Sequence, residues 1–198
     1  GGLLAFGEGV ERVYNPLPAF HVNSLLLSFL AVLLTGNCQI QPARFSRSAW
    51  WRDVYETRAT IIHYLGIVVP ALMDAPPGPY DTRHSVKFGL GAGVEPTLHA
   101  PFEKRFGFPL VEAWGMTEMC RVFADQEEPR RVETRAFGRP CPGLEARVVD
   151  DNDNEVARGI PGELTIRHSA ETPRKGAFSG YLNQPDATEE AWRGGWFH

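Results

Sequence analysis

The stretch Ser85–Trp114, SVKFGLGAGVEPTLHAPFEKRFGFPLVEAW, decides the fold. Ser85–Leu90 reads as a buried strand running into Gly91-Ala92-Gly93. Glu95-Pro96-Thr97 opens a helix, because the fixed φ of proline suits the first turn. Leu98, Phe102 and Phe106, spaced by four, share one helical face. Leu110–Trp114 is a second strand. A strand, a helix and a strand at this spacing form the repeating unit of a layered α/β domain with a largely parallel sheet.

The same alternation extends upstream. Val13-Tyr14 is a short strand broken by Pro16 and Pro18, since proline cannot donate to a ladder. Ser24–Leu34, SLLLSFLAVLL, is the most apolar run, capped by Asn23 or Ser24, stopped by Gly36-Asn37 and expected as a buried helix. Cys38–Ile40 is a short strand. Ser46 or Ser48 caps a helix to about Thr57, Thr60–Leu65 is a buried strand, and Pro70 falls near the start of a short helix. The Pro/Gly-rich DAPPGPYDTRH is a surface loop.

The pattern changes after about Arg135. The turn cluster GRPCPG leads into an alternating strand, Leu144–Val149, and DDNDNEV turns back toward Gly162–Arg167. The expected organisation is therefore an α/β subdomain over residues 1–135 and a small, truncated, β-rich and barrel-like subdomain over 136–198.

Bulk properties exclude several classes. The chain has 198 residues, is 43% hydrophobic and 22% charged, and carries a net charge of −4 with scattered Lys and Arg. That balance argues against nucleic acid as a partner. Cys38, Cys120 and Cys141 form no C-x-x-C pair, so neither a zinc ribbon nor a disulfide framework is supported, and a reducing cytoplasm is the expected compartment. The apolar run is shorter than the roughly 20 residues a transmembrane helix needs, and no basic segment precedes it as in a signal peptide.

Asp150–Glu155, DDNDNE, lacks the mid-loop glycine of a calcium loop and reads as a hairpin turn. Gly89–Gly93, GLGAG, misses the G-x-G-x-x-G pattern. Its glycines still leave backbone open to a flat ring or a phosphate, although a tight strand-to-helix turn would use the same residues. His21, at the mouth of the apolar helix, on its own favours a structural role. The other histidines lack metal-ligand spacing, and there is no G-x-S-x-G elbow. Trp114-Gly115-Met116-Thr117-Glu118 is the most informative string. It closes a buried strand, where open α/β sheets place ligands. It combines a stacking face, a close-approach glycine, a hydroxyl for phosphate and a hard oxygen for magnesium.

Taken in order, these strings resemble the adenylate-forming superfamily of acyl-CoA synthetases, luciferases and peptide-synthetase adenylation domains. PLPAFHVN (Pro16–Asn23) is similar to that superfamily's P-L-F-H segment, GLGAG to its G-G-A-P loop, and EAWGMTE (Glu112–Glu118) to its Y-G-M-T-E. GELTIR (Gly162–Arg167), SGYLNQPDATEEAW and GGWFH are similar to its G-E-L and G-Y-x-x-x-P-x-x-T segments. The resemblance implies that ATP, AMP, magnesium and coenzyme A are the cofactors and co-substrates, and that a small carboxylic acid is the partner. It places Gly91, Ala92, Gly93, Glu112, Ala113, Trp114, Gly115, Met116 and Thr117 around the nucleotide, with Trp114 stacked on adenine. It gives Thr117 to the adenylate phosphate, Glu118 to magnesium and His21 to the acyl carboxylate. Gly93 stands where the family has proline, and Trp114 where it more often has tyrosine.

The implied reaction is an ATP-dependent acyl-CoA ligation through an acyl adenylate. The phosphate loop and its lysine, the T-G-D aspartate and the catalytic lysine of the family lie outside these residues. The span alone is therefore expected to bind ATP weakly and not to turn over. Peptide-synthetase relatives place an aspartate near the His21 position to pair with an α-ammonium. A histidine supplies no such fixed charge, which favours the acyl-CoA branch, with the carnitine/crotonobetaine-CoA ligase group the most similar in flavour. A peptide-synthetase-type adenylation domain and a non-catalytic α/β interaction module remain the alternatives.

Overall fold

The computed structural model describes residues 7–198, with the side chains at 120 and 121 outside the description. The chain divides into two compact units. One comprises the residues up to Trp114 together with Ala124–Gly138, and the other Gly115–Phe123 together with Arg139–His198.

In the first unit, β1 (Arg12–Tyr14), β2 (Cys38–Ile40), β3 (Ile61–Leu65), β4 (Phe88–Ala92) and β5 (Leu110–Met116, as far as Trp114) lie side by side in the order β2-β1-β3-β4-β5. Every one of these pairings is parallel, and Gly91 lies opposite Glu112. The mixed α/β architecture with a largely parallel sheet is the one expected. Alternation along the strands assigns the two faces. Tyr14, Ile62 and Tyr64 point into a core with Trp50, Trp51 and Val54 of α2 (Trp50–Glu56). Val68, Val69 and Leu72 of α3 (Val68–Met73) and Phe102 and Phe106 of α4 (Pro96–Phe106) complete it. Trp51 stacks on Phe106 at 4.4 Å between ring centroids.

Helix α1 packs through the other kind of face. It is wound as a π-helix over Asn23–Leu30 and continues α-helical over Ala31–Leu34. The expected helix is present, but the expected burial of its leucines is not. Asn23, Ser24 and Ser28 are buried, whereas Leu33 and Leu34 are 63% and 84% exposed. The cause is side-chain bonding. Ser28 donates to Gln39 at 2.6 Å, Ser24 to Gln41 at 3.1 Å, and His63 Nδ1 lies 2.6 Å from the Asn23 carbonyl oxygen. Those bonds turn the polar edge of α1 inward.

Two strand expectations also change. β4 begins at Phe88 rather than Ser85 and runs on through Gly91 and Ala92, because its pairing with β3 spans Ile61↔Phe88 to Leu65↔Ala92. β6 (Met119–Ala124) follows β5 after a two-residue turn at Thr117-Glu118 that has neither glycine nor proline to announce it.

The second unit holds β6, β7 (Arg139–Pro140), the antiparallel hairpin of β8 (Glu145–Val149) and β9 (Glu163–Arg167), and α5 (Pro185–Ala191). DDNDNE forms the expected turn: Asp150 accepts backbone N–H bonds from Asn152 at 2.9 Å and Asn154 at 3.0 Å. Arg147 and Arg167 both lie over the Trp196 ring, at 4.4 and 4.0 Å. Phe197 packs edge-on against Trp192 and Phe178.

Candidate active site

In the first unit the candidate residues gather at the C-terminal ends of β4 and β5, the end at which open parallel sheets bind ligands. β4 ends in Gly91-Ala92, and Gly93 turns the chain with φ +82°, a conformation open to glycine and costly to other residues. The missing side chain of Gly91 serves packing, since a Cβ there would come within 2.5 Å of the Tyr64 ring. Beyond it Ala92 is half-buried and Gly93 exposed.

One step across the sheet, Glu112 is 7% exposed and turned inward. Its Oε2 accepts the Gly93 N–H at 2.9 Å, both oxygens lie 3.3 Å from the Val94 N–H, and Oε1 accepts the Tyr64 hydroxyl at 2.8 Å. Burial first, and the neighbouring Glu112 charge second, push the Tyr64 phenol up, so it remains a donor. The amides of Gly93 and Val94 are thus satisfied within the protein. This narrows the expectation from the sequence that the loop offers open amides for either a ring or a phosphate: a phosphate would find these two donors already used.

Ala113 is buried and Trp114 half-buried. Trp114 stacks on Phe137, with 5.7 Å between ring centroids and 28° between planes. Glu112 and Trp114 point to the same side of β5. Gly91↔Glu112 is the last registered pair of β4 with β5, so Ala92-Gly93 and Ala113-Trp114 both follow it at that end of the sheet.

At the end of β1, Pro16–Ala19 leads into His21. The His21 Nδ1 accepts the Asn23 backbone N–H at 3.1 Å. A neutral ring in that arrangement carries its proton on Nε2, which makes the half-buried imidazole a donor toward its surroundings. Beneath it Asn15, Asn23 and His63 form a buried polar chain. The Asn23 oxygen only accepts, so His63 donates from Nδ1, and burial holds its pKa at about 3. Pattern reading missed this network because IIHYL looks like a plain apolar strand.

In the second unit, Gly115 is exposed, Met116 half-buried, Thr117 exposed and Glu118 half-buried. The Glu118 Oε1 accepts the Tyr181 hydroxyl at 3.1 Å, and its backbone carbonyl accepts the Phe178 N–H at 2.8 Å. Tyr181 belongs to the SGYLNQP string, which the sequence matched only as a segment and not as a contact. A half-exposed carboxylate at a strand end suits magnesium, which takes one or two protein carboxylates and fills its other positions with phosphate and water. Asp153, Glu163 and His198 also bring ligand atoms within 4.8 Å of one another. There Arg193 supplies the positive charge, pairing with Glu163 at 3.0 Å and Asp153 at 3.3 Å. That cluster is an ion-pair hub.

The chain is 30% identical over 190 residues to the sulfoacetate–CoA ligase of Cupriavidus necator, covering 94% of this chain and 36% of that protein. It is 28% identical over 187 residues to the crotonobetaine/carnitine–CoA ligase of Proteus mirabilis, covering 92% of this chain and 35% of that one. It thus spans about a third of the length of these relatives. Its fold matches the crystal structure of a benzoate CoA ligase from Burkholderia xenovorans with a TM-score of 0.82 and 21% identity, over 96% of this chain and 38% of that one. Residues 4–182 match the family of AMP-binding enzymes; the chain belongs to that family.

Proposed function

We propose that this chain carries the adenine-recognising and magnesium-holding residues of an ATP-dependent acid–CoA ligase. The observation that carries the reading is the pairing of β4 with β5. An exposed, glycine-turned loop and a half-buried tryptophan both follow the last pair, Gly91↔Glu112, at the end of a parallel sheet where ligands bind, which supports this reading.

In the reaction, a carboxylate oxygen attacks the α-phosphorus of ATP. An acyl–phosphate bond forms, the bond to pyrophosphate breaks, and the products are acyl-AMP and pyrophosphate. The sulfur of coenzyme A then attacks the acyl carbon and AMP leaves with the bonding electron pair. Trp114 and the Ala92-Gly93 backbone recognise the adenine ring. The Thr117 hydroxyl donates to the adenylate phosphate. Glu118 holds magnesium, which when bound neutralises phosphate charge. The Nε2–H of His21 donates to the acyl carboxylate and orients the nucleophile.

Relatives named for sulfoacetate and for crotonobetaine or carnitine support a small, polar carboxylic acid as substrate. Among the described residues no helix is long and apolar enough to cross a membrane. The test is carboxylate-dependent exchange of labelled pyrophosphate into ATP by the full-length protein. Exchange with one member of a panel of small acids is expected. None with any acid would overturn the reading.

A further inference from the structure

We propose that Glu112 is a positioning residue for adenine: it locks the Gly93-Val94 backbone and so fixes the surface that Ala92 and Gly93 present at the end of β4. The inference rests on the nucleotide-binding reading above and gives Glu112 a role that sequence pattern alone does not. Glycine at 93 with φ +82° leaves the loop many backbone conformations. Nothing in the sequence of the loop itself selects one of them.

The selection comes from across the sheet. One carboxylate takes two consecutive amide hydrogens, and the Tyr64 hydroxyl occupies the oxygen that would otherwise let the carboxylate swing. Tyr64 is itself anchored: it is 1% exposed, and its hydroxyl also lies 3.2 Å from the Val111 carbonyl. The chain Tyr64–Glu112–Gly93/Val94 therefore joins three neighbouring strands, β3, β5 and the end of β4, at the level of the loop. Glutamate suits the task because it offers acceptors only, and all the groups around it are donors.

An adenine-selective surface built this way loses selectivity when the lock is removed, whereas a residue that serves stability alone leaves nucleotide preference intact. In the full-length protein, Glu112→Ala is expected to raise the KM for ATP about tenfold while kcat stays within about threefold, and to shrink the preference for ATP over GTP by a similar factor. Glu112→Gln is the conservative rescue. Its amide oxygen can accept from Gly93 and Val94 while its NH2 turns to the Tyr64 oxygen, and KM should return to within about threefold of the parent value. If Glu112→Ala does not fold, Glu112→Asp, one methylene too short to reach both amides, serves in its place with the same expected direction.

Equilibrium binding of AMP, measured beside the kinetics, separates the two claims. AMP bound by the parent protein and equally well by the Ala or Asp variant, with the ATP:GTP ratio unmoved, overturns the positioning role and leaves the nucleotide site standing. No AMP binding by the parent overturns both.

Discussion

Glu112 and Glu118 come from one short string, EAWGMTE, yet their surroundings are opposite. Glu112 is buried and has three donors on its two oxygens. Glu118 is half-buried and is given one side-chain bond, from the Tyr181 phenol. A carboxylate enclosed by donors shapes its neighbourhood. One left half in water can take a cation. The contrast sets an enclosed carboxylate against an open one within seven residues that a motif treats as one.

The largest expected effect tests the open member. Glu118→Ala in the full-length protein should lower kcat/KM for adenylation on the order of a thousandfold, with an unchanged melting temperature. Near-normal exchange would mean that this carboxylate is not the magnesium ligand. Trp114→Ala should weaken ATP binding about tenfold, since an aromatic–base stack is worth roughly 1–3 kcal/mol, and Trp114→Tyr should restore most of it. Equal affinity in all three proteins would remove the stacking role.

Stability sharpens the comparison from the scaffold side. Arg130 clamps Glu103 with two bonds, at 2.7 and 2.9 Å, and reaches the Leu110 carbonyl at the start of β5. Arg130→Ala should cost about 2 kcal/mol by urea unfolding, because it strands a mostly buried carboxylate. Burial pushes Glu103 up, but the bonds from Arg130, His99 and the Leu110 amide outweigh it and hold it at about 2 against an ordinary 4.5. Its contribution is therefore full above about pH 4.5 and is lost as pH falls toward 2. His63, lowered by burial from 6.5 to about 3, adds a loss that starts below pH 6.5. The melting temperature should decline from about pH 6.5 downward and steepen below 4.5, and His63→Gln should flatten the upper part. The smallest effect is expected for Tyr181→Phe, a loss of threefold or less in kcat/KM, since one exposed hydrogen bond is worth about 1 kcal/mol or less.

The strand–helix alternation was legible because periodicity reports which face is buried. Phe102 and Phe106 pack as their spacing requires, and DDNDNE turns as its side chains dictate. The string from Trp114 to Glu118 could be singled out because its residue types suit one chemistry. What could not be read was anything set by partners distant in sequence. The inward turn of Glu112 depends on Tyr64, 48 residues earlier. The bond that holds Glu118 comes from Tyr181, 63 residues later. For α1, hydropathy pointed to buried leucines, but Gln39, Gln41 and His63 claim its polar edge instead. β6 escaped notice because its turn lacks the residues that mark turns.

That outward-facing α1 has a practical corollary. With Phe29 47%, Leu33 63% and Leu34 84% exposed on one helix, and Phe20 88% exposed just before it, the described residues carry several large apolar side chains in water while folded. A solvatochromic dye would fluoresce on them at room temperature, before any heating. Melting curves for this span therefore belong to circular dichroism or tryptophan emission, where Trp50 and Trp51 report the core from within.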